Sequence, residues 1–175
     1  MLLKETALLR LLGLRIPTLL FLGPRVERLD DDGCEVLIPF NWRTGNHLIR
    51  GMYFGALCAG ADLAAGMNAA RLIVSRHRDV RLVFGTLHAE FLKRADGDVL
   101  FRSRDGQRVT GAVREAVATG ERVTLDAPIE VVALVPKKYG EEPVARFRLT
   151  LSLKRQRGTA ERPTAGERGR ASAAG

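Results

Sequence analysis

The segment from Gly51 to Val74 limits what this chain can fold into more than any other part of it. It contains no proline and is crowded with small residues, among them Gly55, Ala56, Ala59, Gly60, Ala61, Ala64, Ala65, Gly66, Ala69 and Ala70. That pattern predicts one long helix. Glycine inside a helix costs about 1 kcal/mol relative to alanine, so Gly51, Gly55, Gly60 and Gly66 need a reason in packing, and close approach of a sheet supplies one. A helix that is apolar on nearly every side is expected to be covered on nearly every side. A single antiparallel sheet of about five strands can cover it only by curling around it.

The strands are read from their period of two. Ala145, Phe147, Leu149, Leu151 and Leu153 alternate with Arg146, Arg148, Thr150 and Ser152, and Val123, Leu125, Ala127, Ile129, Val131 and Ala133 repeat the pattern. The two runs predict an antiparallel hairpin with one wet face, turning through Tyr139-Gly140-Glu141-Glu142-Pro143. Further strands are expected around Glu35 to Phe40, over Val80 to Leu92, and at Val99-Leu100-Phe101 after the turn Ala95-Asp96-Gly97-Asp98. A shorter helix is expected from about Thr110 to Thr119, closed by Gly120 and peripheral to the core.

Composition sets the class. The 175 residues include 28 Lys and Arg against 20 Asp and Glu, 46% apolar residues and two cysteines, enough for one globular domain and too few cysteines for a disulfide scaffold. The net charge of +8 is not a nucleic-acid signature, because half of it lies beyond Leu153. Arg155 to Gly175 has no large apolar residue and is expected to be a disordered basic tail, with no aromatic residue among its arginines to stack on bases. The leucine-rich N-terminus, interrupted by Arg10, Arg15 and Pro17, falls short of the roughly 20 apolar residues of a transmembrane segment. It is read as an amphipathic helix packing on the domain, with a membrane-surface helix as the alternative. The expected organisation is therefore residues 1–24 as that helix, 25–154 as the domain and 155–175 as the tail. Cys34 and Cys58 share no metal-type spacing with His47, His77 or His88 and are read as reduced thiols of a cytoplasmic protein. The sequence offers no phosphate-binding glycine loop, zinc ligand set or serine-nucleophile elbow, so no metal or cofactor is expected.

One polar group stands apart. Asp62, within Gly60-Ala61-Asp62-Leu63-Ala64, places a carboxylate in an otherwise apolar helix, and desolvating it costs several kcal/mol unless it is bonded, wetted or used. It is a structural acceptor, a group facing water at a subunit boundary, or a catalytic base or nucleophile. Just upstream lies Asn41-Trp42-Arg43-Thr44-Gly45-Asn46-His47, a loop rich in amide and turn chemistry. The first N–H groups of the helix lack internal partners and form a ready site for a polarised carbonyl. Carbonyl donors, a carboxylate and an orienting Asn or His make a minimal hydrolytic set. Cys58 is read as a small hydrophobe and His77 and His88 as structural.

The stretch from Met52 to Gly66 resembles the central-helix motif of hot-dog-fold thioesterases of the phenylacetyl-CoA thioesterase type, and His88 to Asp98 resembles the strand and turn that follow it. The likeness covers about Arg25 to Lys154. In that family His-Gly-Gly opens the helix and an acidic residue follows nine positions after the His. Here Tyr53-Phe54-Gly55 stand in those places and the count lands on Asp62, as in a branch of undefined function with a modified opening. The resemblance implies an α+β hot-dog fold, a curved antiparallel sheet wrapped around one long central helix, assembled as a homodimer or dimer of dimers. It implies acyl-CoA or a related acyl thioester as substrate, with Asp62 as base or nucleophile, assigned to the neighbouring subunit, and Asn46 or His47 as the orienting polar residue. Tyr53, Phe54 and Gly55 would line the substrate, and Lys93 and Arg94 could meet a CoA phosphate. A backbone N–H survives the change at the helix opening and an imidazole does not, so two functions stay open: thioester hydrolysis, and a non-catalytic module binding acyl-CoA or fatty acid.

Overall fold

The computed structural model describes residues 16–156. The elements run α1 (Pro17–Leu22), β1 (Arg25–Leu29), β2 (Cys34–Ile38), β3 (Gly45–Asn46), β4 (Gly51–Met52), α2 (Phe54–Ser75), β5 (Val80–Phe91) and β6 (Val99–Ser103). They continue with α3 (Gly106–Thr119), β7 (Arg122–Thr124), β8 (Ile129–Leu134), α4 (Pro136–Tyr139) and β9 (Pro143–Arg155). Seven strands form one antiparallel sheet in the order β1-β2-β6-β8-β9-β5, with β7 beside β8 on the same flank of β9. The helix α2 lies across its concave face. This is the curled sheet around one helix that the small residues and the alternating strands predicted, and the hot-dog fold that the resemblance implied.

The core follows from the period-two pattern. Phe147, Leu149, Leu151 and Leu153 of β9, Ile129, Val131 and Ala133 of β8, and Val99 and Phe101 of β6 are buried in one core with the inner sides of α2 and α3. Gly60 gives the closest approach, because a Cβ on it would come within 2.3 Å of the Phe101 ring. On the other flank Leu63 and Met67 pack with Leu19, Val26, Leu29, Cys34 and Val36. Asn68 is buried on that side with its amide donating to the Asp30 carbonyl at 2.6 Å, and Arg71 reaches Asp31 at 2.8 Å. These bonds fasten the helix to the β1–β2 turn. By length and composition α2 could cross a membrane, yet here the sheet occupies the place of lipid.

Several expectations are corrected. The helix starts at Phe54, not Gly51, because Gly51 and Met52 pair with Asn46 and Gly45 in a small hairpin. The Val123–Ala133 run is two strands: Pro128 lacks a ladder donor, and the chain breaks between Thr124 and Ile129 so that β7 and β8 pair with different ends of β9. The sheet gains β1, whose burial pattern does not alternate strictly and whose register is bulged between Val26 and Arg28. α3 begins at Gly106 and is not peripheral, since Val109, Ala112, Val113 and Ala116 enter the main core while Arg108, Arg114 and Glu115 stay wet. Pro17 opens α1 at its first helical position; the rest of the expected N-terminal helix and the tail beyond residue 156 lie outside the described residues.

Among the described residues β5 is an edge strand, paired only with β9. Its register shifts between Phe84 and Leu87, and Thr86 fills the bulge by donating its N–H to Thr150 Oγ1 at 2.8 Å. Such a bulge bends a strand. Leu87, Ala89 and Phe91 pair with Leu149, Phe147 and Ala145 and so share the concave face, but Leu87 and Phe91 remain exposed there.

Candidate functional site

The start of α2 is held by its loop. Thr44 is fully buried, donates its hydroxyl to the Pro39 carbonyl at 2.7 Å and accepts the Asn41 N–H at 3.0 Å. Its own carbonyl accepts the Tyr53 N–H at 2.8 Å, and the Met52 N–H donates to the Ala95 carbonyl at 2.7 Å. The chain therefore arrives at Tyr53 pinned on both sides. Tyr53 is the N-cap, extended, with no side-chain cap, and its carbonyl accepts from Ala56 at 2.9 Å and Leu57 at 3.2 Å. Among the described residues the N–H groups of Phe54 and Gly55 donate to nothing. They point out of the positive end of a long helix, where a carbonyl oxygen or oxyanion is stabilised.

The aromatic pair at this end is half-exposed. Tyr53 and Phe54 meet edge to face with centroids 5.1 Å apart. A Cβ on Gly55 would come within 2.4 Å of Tyr53 Cε1, so the tyrosine ring lies directly against that glycine.

Contrary to the expectation of burial on nearly every side, α2 has an open stripe formed by Gly55, Cys58, Ala59, Asp62 and Gly66, all partly exposed. Residues three or four apart share one face of a helix, and Gly66 on this face meets the Phe84 ring of β5. Asp62 therefore looks toward the edge-strand side. Unlike Asn68, it takes part in no hydrogen bond or ion pair among the described residues, and burial pushes its carboxyl above the usual carboxylate value. A carboxylate that is partly desolvated, unpaired and not sealed is a candidate base or nucleophile. Cys58, one turn earlier on the same stripe, has its thiol pushed up by burial, and Cys34 is pushed up to about 12. Neither is an activated thiolate.

The other sequence candidates fall at the helix-entry hairpin and the end of β5. Asn46 spends its Oδ1 on the Leu48 N–H at 3.0 Å, and His47 is exposed in the turn. No hydrogen bond joins either to Asp62. Lys93 is ion-paired with Glu142 and sits over the Tyr139 ring. Arg94 lays its stem against Gly51 and reaches Asp96 at 3.3 Å, which places it under the hairpin. Sequence reasoning missed Thr44, which reads as an ordinary turn residue, and the open stripe, which small residues conceal because they do not tell packing from clearance.

A cavity of about 550 Å³, lined by Arg102, Arg104, Asp105, Arg108, Glu130 and Val132, lies on the opposite face of the sheet and touches none of these groups. Among the described residues no cluster of His, Cys, Asp and Glu could hold a metal ion.

The profile of the family described as Domain of unknown function (DUF4442) matches residues 4–153. The chain belongs to this family. Solved structures resemble this DUF4442 protein over nearly their whole length. A Pseudomonas aeruginosa protein of unknown function, described as a probable thioesterase, has 22% identity and a TM-score of 0.67, covering 89% of this chain and 99% of its own. A protein of unknown function from Chlorobaculum tepidum reaches a TM-score of 0.69 at 15% identity, covering 87% and 95%. A thioesterase from Haemophilus influenzae gives 0.59 at 15%, covering 87% and 94%. At such identities the likeness establishes the fold. No curated protein matches the DUF4442 chain.

Proposed function

We propose that this DUF4442 protein hydrolyses acyl-CoA or a related acyl thioester at a site shared by two copies of the chain. The observation that carries the reading is the pairing on one helix of two undonated N–H groups, at Phe54 and Gly55, with an unpartnered, partly buried carboxylate at Asp62. Gly55 and Asp62 are seven residues apart, about 11 Å along the axis at 1.5 Å per residue. One thioester group cannot touch both in the same chain. A second copy that pairs along the exposed edge of β5 brings its own Asp62 toward this helix start, and covers Leu87, Phe91 and Leu92 at the same time. The solved structures described as thioesterases share this fold and support the substrate class.

In this reading the thioester carbonyl accepts from Phe54 and Gly55, which stabilise the negative charge that grows on its oxygen. Asp62 of the other copy takes a proton from water as the water oxygen bonds to the carbonyl carbon, or attacks that carbon itself. Collapse breaks the C–S bond, and the leaving thiolate takes the proton that Asp62 or solvent holds; where Asp62 has attacked, a water then hydrolyses the acyl–aspartyl anhydride, freeing the acid and restoring the carboxylate. Asn46 or His47 orients the attacking group, Tyr53 lines the acyl entrance, and Lys93 and Arg94, each already paired with a carboxylate, at Glu142 and Asp96, would turn to the CoA phosphates. Two unactivated thiols fit the reducing cytoplasm.

Thiol release measured across a panel of acyl-CoA esters tests the reading. Turnover of at least one ester supports it. Saturable binding with no release from any ester contradicts it and favours the second reading, a binding module for acyl-CoA or fatty acid. A specific observation favours that alternative too: the Tyr53 ring rests on Gly55 where the related thioesterase motif carries an imidazole.

A further inference from the structure

We propose that α1 and the Trp42 loop form a docking face for an anionic lipid surface. Leu19 and Leu22 of α1 enter the core, while Ile16, Leu20 and Phe21 point outward and stay exposed. Trp42 is 74% exposed and meets Phe21 edge to face with centroids 6.0 Å apart. The Arg43 guanidinium sits 5.9 Å from the centre of the Phe21 ring. Water gains nothing from this arrangement, whereas the membrane interface accepts an aromatic body together with a cationic head.

Charge selects the partner. Residues 16–26 and 39–55, the two segments that build this face and its hairpin, carry Arg25, Arg43 and Arg50 and no acidic residue. A second copy docking through the same face would set arginines against arginines. An anionic headgroup layer neutralises them and takes the aromatic pair at its apolar boundary. This proposal is independent of the thioesterase reading.

Trp42 is the sole tryptophan, so its fluorescence reports on this face alone. The full chain is mixed with phosphatidylcholine vesicles, with and without phosphatidylglycerol, and with the same lipids brominated on the acyl chain. The expected result is a blue shift and bromine quenching that require phosphatidylglycerol and fade at about 1 M salt, where the screening length is near 3 Å. Arg43→Gln should lower the partition coefficient about fivefold, and Phe21→Ser should remove the quenching. Sedimentation with vesicles without any change at Trp42 would assign binding to the basic tail and overturn the proposal. A blue-shifted emission that depends on protein concentration and not on lipid would overturn it in favour of a second copy.

Discussion

Gly60 of the central helix lies against the Phe101 ring of β6 so closely that a Cβ on the glycine would come within 2.3 Å of Cε2. Phe101 is fully buried and has nowhere to move. Gly60→Ala should therefore lower stability by about 1–3 kcal/mol, as overpacking does, even though alanine is the better helix former. At Gly66 the added Cβ meets the Phe84 ring at 3.3 Å, and that ring is only half-buried. Gly66→Ala should be neutral or stabilising by up to about 1 kcal/mol. Denaturant melts of the two variants check the contrast.

Thr44→Val keeps the shape of the side chain and removes its hydroxyl. The Asn41 N–H and the Pro39 carbonyl then lose a buried partner, which should cost about 1–3 kcal/mol. Because Thr44 also holds Tyr53 through its carbonyl, activity should fall beyond what the melt explains.

Asp62→Asn separates structural from chemical roles through pH. Burial raises the folded-state pKa of Asp62 above 3.8, so the parent protein has its full stability below that value. It loses part of it as pH rises through the folded pKa, because the unfolded chain ionises first. The asparagine variant lacks this loss. It should match the parent at low pH and melt higher at neutral pH. A lower melting point at neutral pH would mean that the carboxylate is a structural acceptor. In the parent, turnover should rise with pH along a limb set by this raised pKa.

The helix, the alternating strands and the odd position of Asp62 were legible because each is a local pattern of residue type. What was not legible depended on clearance between elements. Gly60 and Gly55 are both helix glycines in sequence, yet one meets a buried phenylalanine and the other a half-exposed tyrosine ring. The Val123–Ala133 run has an apolar residue at every second position, and only Pro128 and the pairing with β9 show that it is two strands. Asp62 reads as buried because its neighbours are small and apolar, whereas it lies on the one stripe that the sheet leaves open.

Proline is tolerated at the first position of a helix, and Tyr53 already has the extended backbone that a following proline requires. Phe54→Pro should thus fold while deleting one of the two free N–H groups. Phe54→Ala removes the same ring and keeps the N–H. Turnover about 100-fold lower in the proline variant than in the alanine variant is expected, the scale of losing one oxyanion donor. Equal rates would remove Phe54 from the site.

The shared site is tested most directly by mixing subunits. Phe54→Pro and Asp62→Asn proteins are prepared separately, shown to be folded and nearly inactive, then exchanged to equilibrium and assayed for thiol release. If the donors of one copy work with the carboxylate of the other, half of the dimers are mixed and each holds one intact site, so about a quarter of parent activity returns. A mixture that stays as inactive as its components, although exchange is complete, would contradict a site built from two chains.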